Sequence, residues 1–268
     1  MNTLLLLDCS NIAHRNWYAI KNNEMALPVV YTFLRDLGTL SRTLSSDRFV
    51  FCFDDKEYAR RRLFPDYKPR GIDDDGKKLI HKEIKMLKED ILPDLGYQNL
   101  FQIVGAEADD VIAKLCLFRK DKDYYVLVST DSDLFQLLEE DEVSIWNMAT
   151  KRMVTEDNLY QRTKLAPHNW IELKALSGCD ADGIPGVPGV GPILAGKYIN
   201  KELSATTKAY KNIQTNFRMI ELNRKLVSLP FADLPEVELK IKKDNIDPGH
   251  WDVVMQKYNI TQLVGKCP

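Results

Sequence analysis

The sequence predicts an α/β fold, a mostly parallel sheet flanked by helices, with a smaller helical lobe attached. Three short runs, at residues 4–7, 49–53 and 124–128, are almost entirely apolar. Such runs are typical of strands that are buried on both faces of a parallel sheet. Apolar residues at helical spacing lie between these runs, and from about residue 167 the pattern is mostly helical. We therefore expect alternating strands and helices first, and a helical region after them.

The predicted elements follow a regular order. Ser10 and Asn11 are favourable N-caps for a helix after the first strand. Residues 77–92 are amphipathic, with apolar side chains on one side and lysines on the other. In chain order we predict strand 3–7, a helix from residue 10 or 11, helix 29–44, strand 48–53, helix 77–92, strand 101–104, helix 107–118, strand 124–128, and a hairpin of strands 143–147 and 152–155. The C-terminal stretch 245–268 is predicted to be a packing helix.

Residues 56–75 lack apolar periodicity and contain Pro65, Pro69 and Gly71, so we predict a loop or a mobile arch there. The wider segment 56–88 carries eleven Lys or Arg against six Asp or Glu, in a chain whose formal net charge is −2. A basic segment directly after an acidic strand end favours an anion-binding wall beside a metal pocket. The alternative is a solvated helix face, which is the usual role of a charge run.

Acidic residues follow the three apolar runs and also form two further clusters. They are Asp8, Asp54, Glu107, Asp109, Asp110, Asp131, Asp133, Asp180 and Asp182. Because ligands bind beyond the carboxyl ends of parallel strands, we expect the carboxylates at these ends to converge. Like charges at close range require a cation among them, and oxygen ligands without a His or Cys pattern favour Mg²⁺ or Mn²⁺. A single aspartate after a strand is more often a helix cap, so the prediction rests on the combined pattern.

Composition narrows the class of protein. The 268 residues are 44% hydrophobic and 28% charged, which is ordinary for a globular protein, and no apolar run is long enough to span a bilayer. The N-terminal apolar run is too short for a signal peptide and has no basic leader. The five cysteines are widely spaced and form no C-x-x-C pair, which favours a reducing compartment over a disulfide framework or a zinc site.

Residues 183–197 are rich in glycine and read G-I-P-G-V-P-G-V-G-P-I-L-A-G-K. Glycine permits tight turns and close approach of the backbone to a ligand. The helix that follows would present free N–H groups to a phosphate. The segment is neither a Walker A loop nor the G-x-G-x-x-G of a dinucleotide site.

Taken together, the acidic clusters and the glycine-rich turn resemble the flap endonuclease, or 5′-nuclease, family. This family includes phage 5′-exonucleases and the N-terminal 5′-nuclease domain of bacterial DNA polymerase I. The matching stretches occur in the family's order and are Leu7-Asp8, Phe53-Asp54-Asp55-Lys56, Tyr67-Lys68-Pro69-Arg70, Glu107-Ala108-Asp109-Asp110, Ser129-Thr130-Asp131-Ser132-Asp133 and residues 177–191. The chain is most similar to the stand-alone phage members.

This resemblance implies an architecture and an activity. It implies a PIN-like catalytic domain at residues 1–165 with an arch at about residues 56–88. A helical lobe at residues 166–268 would carry a helix-two-turn-helix at about residues 183–200. The implied activity is structure-specific hydrolysis of DNA at 5′ flaps and 5′ ends during replication, with two Mg²⁺ or Mn²⁺ ions. The family often holds a K⁺ at the helix-two-turn-helix. We expect a monomer that acts on DNA in a bacterial or host cytoplasm, without a membrane.

The resemblance also assigns roles to residues. Ligands of the first metal would be Asp8, Asp54, Glu107, Asp109 and Asp110, and ligands of the second would be Asp131, Asp133, Asp180 and Asp182. Lys68 is similar to the family's active-site lysine, Arg70 to an arginine near it, and Tyr67 would stack on a nucleobase. Contacts to DNA are expected from Lys56, Arg60, Arg61, Gly186, Gly189, Gly191 and Lys197.

One part of the metal pattern departs from the family. The family usually has aspartate directly after the glycine and spaces its last two aspartates three residues apart. Here Cys179 follows Gly178, and Asp180 and Asp182 are two apart. A Gly-x-Asp arrangement occurs in eukaryotic members, so Asp180 is the better candidate of the two.

Two other functions remain open on the sequence. A PIN-like metal-dependent ribonuclease would have the same aspartates at strand ends, but the glycine-rich duplex-binding turn does not fit it. A DNA-junction binding protein with an incomplete metal site would fit the altered spacing of Asp180 and Asp182. A phosphatase with a D-x-D motif after the first strand does not fit, because Asp8 is followed by Cys9 and Ser10.

Overall fold

A six-stranded sheet organises the part of the chain that the structure, a computed structural model, describes: residues 2–20, 26–69, 75–119, 123–140 and 142–268. The strands are β1 Thr3–Asp8, β2 Phe49–Phe53, β3 Leu100–Gln102, β4 Tyr124–Val128, β5 Val143–Asn147 and β6 Arg152–Val154. Their order across the sheet is β3-β2-β1-β4-β5-β6. The first five strands run parallel, and β6 pairs antiparallel with β5. The predicted mostly parallel α/β sheet is therefore confirmed.

Helices cover the sheet and form the region that follows it. They are α1 Cys9–Ile20, α2 Pro28–Leu44, α3 Arg60–Leu63, α4 Asp75–Met86, α5 Leu92–Asp94, α6 Ala108–Leu117, α7 Glu156–Thr163, α8 Trp170–Ser177, α9 Pro192–Ile199, α10 Lys208–Thr215, α11 Phe217–Val227 and α12 Pro248–Lys257. A π-helical turn, Leu87–Ile91, joins α4 to α5, so the predicted amphipathic helix 77–92 extends over residues 75–94.

Both faces of the central strands are buried, which explains their apolar composition. Leu4 and Leu6 of β1 pack with α6 and the region after the sheet. Leu5 and Leu7 pack on the opposite face, in a cluster that includes residues of α1, α2 and α12. Since neighbouring side chains of a strand point to opposite faces, a strand covered on both sides must be apolar at every position.

Strand register brings the carboxyl ends of β1, β2 and β4 to one edge of the sheet. Leu7 of β1 pairs with Phe51 of β2 on one side and with Val128 of β4 on the other. The residues that come next along each strand therefore lie near one another. This edge is where parallel α/β sheets bind ligands.

The C-terminal segment returns to the sheet. Trp251, Val254 and Met255 of α12 are buried in the same apolar cluster as Leu5 and Phe49. The predicted packing helix of residues 245–268 is thus limited to Pro248–Lys257, and it joins the core of the sheet region. The division of the chain at residue 165 stays a prediction. Within the described residues, no helix is both long and apolar enough to cross a membrane.

Candidate metal centre and nucleic-acid interface

Four carboxylates converge at the carboxyl edge of the sheet, and we call Asp8, Asp54, Asp109 and Asp131 the edge carboxylates. Asp8 ends β1, and its carboxylate accepts hydrogen bonds from the Asn11 backbone at 3.0 Å and from the Ser129 hydroxyl at 2.9 Å. Asp54 follows β2 and accepts from the backbone N–H of Ala108 at 2.8 Å. These bonds fix two strand ends against the start of α1, the end of β4 and the first turn of α6.

Burial and the neighbouring carboxylates raise the pKa values of Asp8 and Asp109. Burial raises the pKa of Asp8 from 3.8 to about 7, and the charges of Asp54 and Asp131 add to this effect. The pKa of Asp109 is raised mainly by burial and then by the charges of Glu107, Asp8 and Asp131. A divalent cation relieves such repulsion, and a donor set made of carboxylate oxygens suits Mg²⁺ or Mn²⁺. The side chains present therefore fit a metal site.

Glu107 lies beside this group, but protein donors engage both of its oxygens. Its carboxylate accepts hydrogen bonds from the Tyr67 hydroxyl at 2.6 Å and from Arg60 Nη1 at 3.1 Å. Its other oxygen forms an ion pair with Lys68 Nζ. Burial alone would lower the pKa of Lys68, but the charges of Glu107, Asp109 and Asp182 outweigh it and raise that pKa. Lys68 is therefore a fixed cation at the edge of the acidic site.

Asp110, a predicted ligand of the first metal, pairs with Arg60 in this structure. It is fully buried, and the Arg60 guanidinium binds both of its oxygens, at 2.6 and 2.8 Å. The same carboxylate accepts from the backbone N–H groups of Glu107 at 3.0 Å and Phe231 at 2.8 Å. Glu107 and Asp110 share a helix face, as their spacing predicted, but that face meets Arg60.

Two residues that were predicted to contact DNA are buried in this structure. Arg60, expected to bind DNA, is only 2% exposed and donates through Nε to the Leu226 carbonyl at 2.7 Å. Tyr67, expected to stack on a base, is only 4% exposed, because its ring packs edge-on against that of Tyr58 and its hydroxyl donates to Glu107. Arg61 donates to the carbonyls of Tyr67 and Lys68 at 3.0 and 2.7 Å and so holds this turn. Lys56 is exposed, and Arg70 lies outside the described residues.

A second group of potential ligands comes from the segments that follow β4 and α8, and we call it the thiol cluster: Asp133, Cys179 and Asp182. One ligand atom from each lies within 4.8 Å of the others. Asp133 forms an ion pair with Lys174 of α8, and Lys68 Nζ lies 3.5 Å from Asp182 Oδ1. Burial, and then the hydrogen bond and charge of Asp182, raise the pKa of the Cys179 thiol to about 12.

Asp180, the better candidate on sequence grounds, is exposed and is not part of the thiol cluster. The chain turns at this point, because residues 180–182 form a single 3₁₀ turn that carries Asp182 back toward Asp133. Sequence reasoning missed Cys179 and Lys174. The signal for Cys179 was its position directly after Gly178, where the family usually has aspartate. Lys174 has no comparable signal, since its ion pair depends on tertiary structure.

The glycine-rich segment connects α8 to α9, as predicted. A Cβ at Gly186 would lie 2.2 Å from the Ser177 carbonyl oxygen, so this glycine is required by chain packing rather than available to DNA. Gly189 and Gly191 are exposed, and a Cβ at either would have no neighbour within 4 Å. Gly191 precedes Pro192, the first residue of α9, and Lys197 is exposed on that helix. An open helix N-terminus that follows two exposed glycines can accept a phosphate.

Comparison with known proteins identifies the family. A family model described as the 5′-3′ exonuclease N-terminal, resolvase-like domain matches residues 3–164, which is more than half of the chain. The chain belongs to the 5′-3′ exonuclease family. A 5′-3′ exonuclease from Aquifex aeolicus is 31% identical over 92% of this chain and 89% of the relative. This family member is therefore a nuclease.

Solved structures agree on the fold of the exonuclease. A structure of the bacteriophage T5 5′-exonuclease with bound zinc ions matches with a TM-score of 0.71 at 24% identity, covering 85% of this chain and 90% of the other. A complex of the T5 flap endonuclease with DNA and metal ions also matches with a TM-score of 0.71, at 23% identity and with the same coverage. These likenesses confirm the PIN-like nuclease fold predicted from the sequence.

Proposed function

We propose that this 5′-3′ exonuclease family member is a structure-specific 5′-nuclease that hydrolyses DNA phosphodiester bonds at 5′ ends and 5′ flaps during replication. The observation that carries the proposal is the position of the edge carboxylates. They lie next to Lys68, whose charge acts on Asp109. The backbone N–H of Lys68 donates to the Asp182 carbonyl at 2.8 Å, which holds this lysine in place. The T5 relative bound to DNA and metal ions has the same fold.

The acidic side chains offer ligands for two divalent ions, which the sequence predicts to be Mg²⁺ or Mn²⁺. The edge carboxylates Asp8, Asp54, Asp109 and Asp131 would hold the first ion. Asp133 and Asp182 would hold the second, with Asp131 between the two groups because its charge acts on both Asp8 and Asp133. When bound, such ions lower the pKa of a water molecule and stabilise charge on the leaving oxygen.

Lys68 would contribute the positive charge that the protein itself supplies. Its side chain is 34% exposed and lies between Glu107 and Asp182, so the ammonium group can reach a phosphate at the acidic edge. A preorganised cation is worth more in a partly buried site than in water, because it needs no reorganisation during the reaction. Tyr67 and Arg60 hold Glu107, and Glu107 in turn positions Lys68.

The remaining surface would bind the duplex through its backbone. Gly189 and Gly191 lead into an open helix N-terminus, where a K⁺ would add positive charge. Lys197 is exposed in the last turn of the same helix. Lys56 and Arg61 line the base of the arch. Contacts of this kind read phosphate position and DNA shape, so cleavage should depend on structure and not on sequence. The enzyme would act as a monomer in the cytoplasm, where replicating DNA is found.

The decisive experiment is cleavage of a DNA duplex with a 5′-labelled flap, in Mg²⁺ and in EDTA. We expect Mg²⁺-dependent release of flap-length fragments or of mononucleotides, and Asp131→Asn should abolish it while leaving DNA binding intact. Asp180→Asn is the matched control, because Asp180 is exposed and lies outside the thiol cluster. Full activity of Asp131→Asn would contradict the proposal. Cleavage restricted to an RNA flap would support the ribonuclease instead, and tight binding without cleavage in either metal would support a junction-binding protein.

A further inference from the structure

The backbone holds the Cys179 thiol in a fixed position among carboxylates. The N–H of Cys179 donates to the Ile184 carbonyl at 2.9 Å, and the N–H of Ile184 donates back to the Cys179 carbonyl at 3.0 Å. The Asp182 N–H donates to the same Cys179 carbonyl at 3.2 Å, which closes the turn between the two side chains. The sulfur thus lies within 4.8 Å of a carboxylate oxygen of Asp133 and one of Asp182 without any need for the backbone to move.

The groups around this thiol differ from those of a magnesium site made of carboxylates alone. Asp133 and Asp182 each carry a lysine partner, Lys174 and Lys68, which partly neutralises them. The third donor is a thiol in place of a carboxylate. Mg²⁺ prefers oxygen ligands in a rigid octahedral shell and is bound weakly by sulfur. Softer divalent ions accept thiolate and carboxylate together.

We propose that Cys179 is a direct ligand in the second metal position, which makes this position selective for Co²⁺ or Zn²⁺ over Mg²⁺. The inference rests on the proposed function, because it assigns the ligands of the metal pair used for cleavage. Binding breaks the S–H bond, forms a sulfur–metal bond and releases one proton to solvent, with no change in oxidation state. Asp133 and Asp182 would complete the set, with Lys174 paired to Asp133.

Cobalt titration of the full-length protein tests this ligand set directly, because a thiolate bound to Co²⁺ gives a sulfur-to-metal charge-transfer band that oxygen ligands do not give. We expect the wild-type protein to develop the band at about one Co²⁺ per chain. Cys179→Ser and Cys179→Asp should both lose it. Cys267→Ser is the matched control and should keep it, because Cys267 lies near the C-terminus, outside the thiol cluster.

Calorimetry of the same variants tests the selectivity. Cys179→Asp restores a carboxylate, so the ratio of Co²⁺ to Mg²⁺ affinity should fall at least about tenfold relative to the wild type. A wild-type protein that binds Co²⁺ without the band, or a band that persists in Cys179→Ser, overturns the inference. Mg²⁺-dependent flap cleavage in that case leaves the proposed function intact. If the protein shows a Cys179-dependent band but cleaves no flap with any metal, Cys179 is still a metal ligand and the proposed function is wrong.

Discussion

Arg60 of α3 binds Asp110 of α6 through both Nη atoms of its guanidinium, at Nη1–Oδ2 and Nη2–Oδ1 distances of 2.6 and 2.8 Å. Both side chains are almost completely buried. The same guanidinium bonds the Leu226 and Ser228 carbonyls at 2.7 and 3.2 Å and lies over the Phe231 ring. The Arg60–Asp110 ion pair and the hydrogen bonds around it therefore join α3, α6 and the end of α11.

Removing Arg60 should unfold the protein far more easily. Arg60→Met leaves the Asp110 charge buried without a partner, and loss of one member of a buried pair costs about 3–5 kcal/mol. Denaturant unfolding, with EDTA present, measures the change. Arg224→Met is the matched control, since Arg224 also binds a carboxylate, Glu172, with two bonds but is 45% exposed. Its loss should cost less than about 1 kcal/mol. Equal costs for the two variants would show that the buried pair has no special weight.

The strand ends were predictable because the signal is local. An apolar run followed by aspartate identifies both the strand and the position of its carboxylate, so Asp8, Asp54 and Asp131 were placed correctly from the sequence alone. The parallel order of strands then brings these positions together. No further information about tertiary contacts was needed.

The residues whose surroundings differ most from the expectation are those that have a distant partner in the sequence. Arg60 belongs to a basic run that is typical of an exposed surface, and Asp110 lies fifty residues away in the sequence. Their pairing buries both and removes each from its predicted role. Cys179 was missed for another reason: a cysteine search looks for paired spacing, whereas here a lone thiol meets two carboxylates only because the 180–182 turn folds back.

The hydroxyl of Tyr67 should matter more than the ring. Tyr67→Phe removes the hydrogen bond to Glu107, which measures 2.6 Å, and leaves the aromatic surface unchanged. We expect a loss of about 1–2 kcal/mol in unfolding free energy and slower cleavage, with unchanged affinity for DNA. Tyr58→Phe is the control, because the Tyr58 ring packs edge-on against that of Tyr67 at 6.1 Å. If Tyr67→Phe changes neither stability nor cleavage and Tyr67→Ala weakens DNA binding, the ring of Tyr67 stacks on a base as the sequence predicted.

Lys68 should act on the reaction and not on the fold. Lys68→Met removes the cation between Glu107 and Asp182, and a lost electrostatic stabiliser of this kind costs about 10²–10³ in rate. Single-turnover cleavage under saturating enzyme reports this step, and DNA affinity measured in EDTA should change little. The exposed Lys56→Met serves as control. A Lys68→Met enzyme that cleaves at the wild-type rate would place the positive charge for catalysis elsewhere.

Metal-free protein should lose stability as the pH rises. The pKa of Asp8 is about 7 in the folded chain against 3.8 when unfolded, so between these values the folded state holds a proton that the unfolded state releases. Stability therefore falls as the pH rises through this window, and it is lowest above about pH 7. Asp8→Asn should raise Tm in EDTA at pH 7.5 by about 3–8 °C, whereas the exposed Asp66→Asn should not.

Divalent metal should reverse the order of thermal stability, so that the wild type becomes more stable than Asp8→Asn. Saturating Mn²⁺ stabilises any protein that binds it in the folded state, and the wild type retains the Asp8 carboxylate that Asn lacks. We expect the wild type to gain more in Tm than the variant. Thermal scans in EDTA and in Mn²⁺ provide the comparison. A variant that is less stable than wild type in EDTA would mean that the edge carboxylates do not repel one another in the folded chain.

Gly191 separates DNA contact from folding. Its φ of −86° suits any residue, and a Cβ there would meet no protein atom within 4 Å, so Gly191→Ala should leave Tm unchanged. If a duplex backbone lies against this turn, the added methyl group will hold it away and weaken binding about tenfold, as seen by fluorescence anisotropy at fixed salt.

Gly186→Ala is the control, in which folding should be affected first. Its Cβ would lie 2.2 Å from the Ser177 carbonyl oxygen, so the fold must shift. It should lower Tm before it affects DNA. Unchanged affinity in Gly191→Ala would mean that the duplex does not approach α9 at its N-terminus, and the search for the contact would then turn to the exposed Lys197 on the same helix.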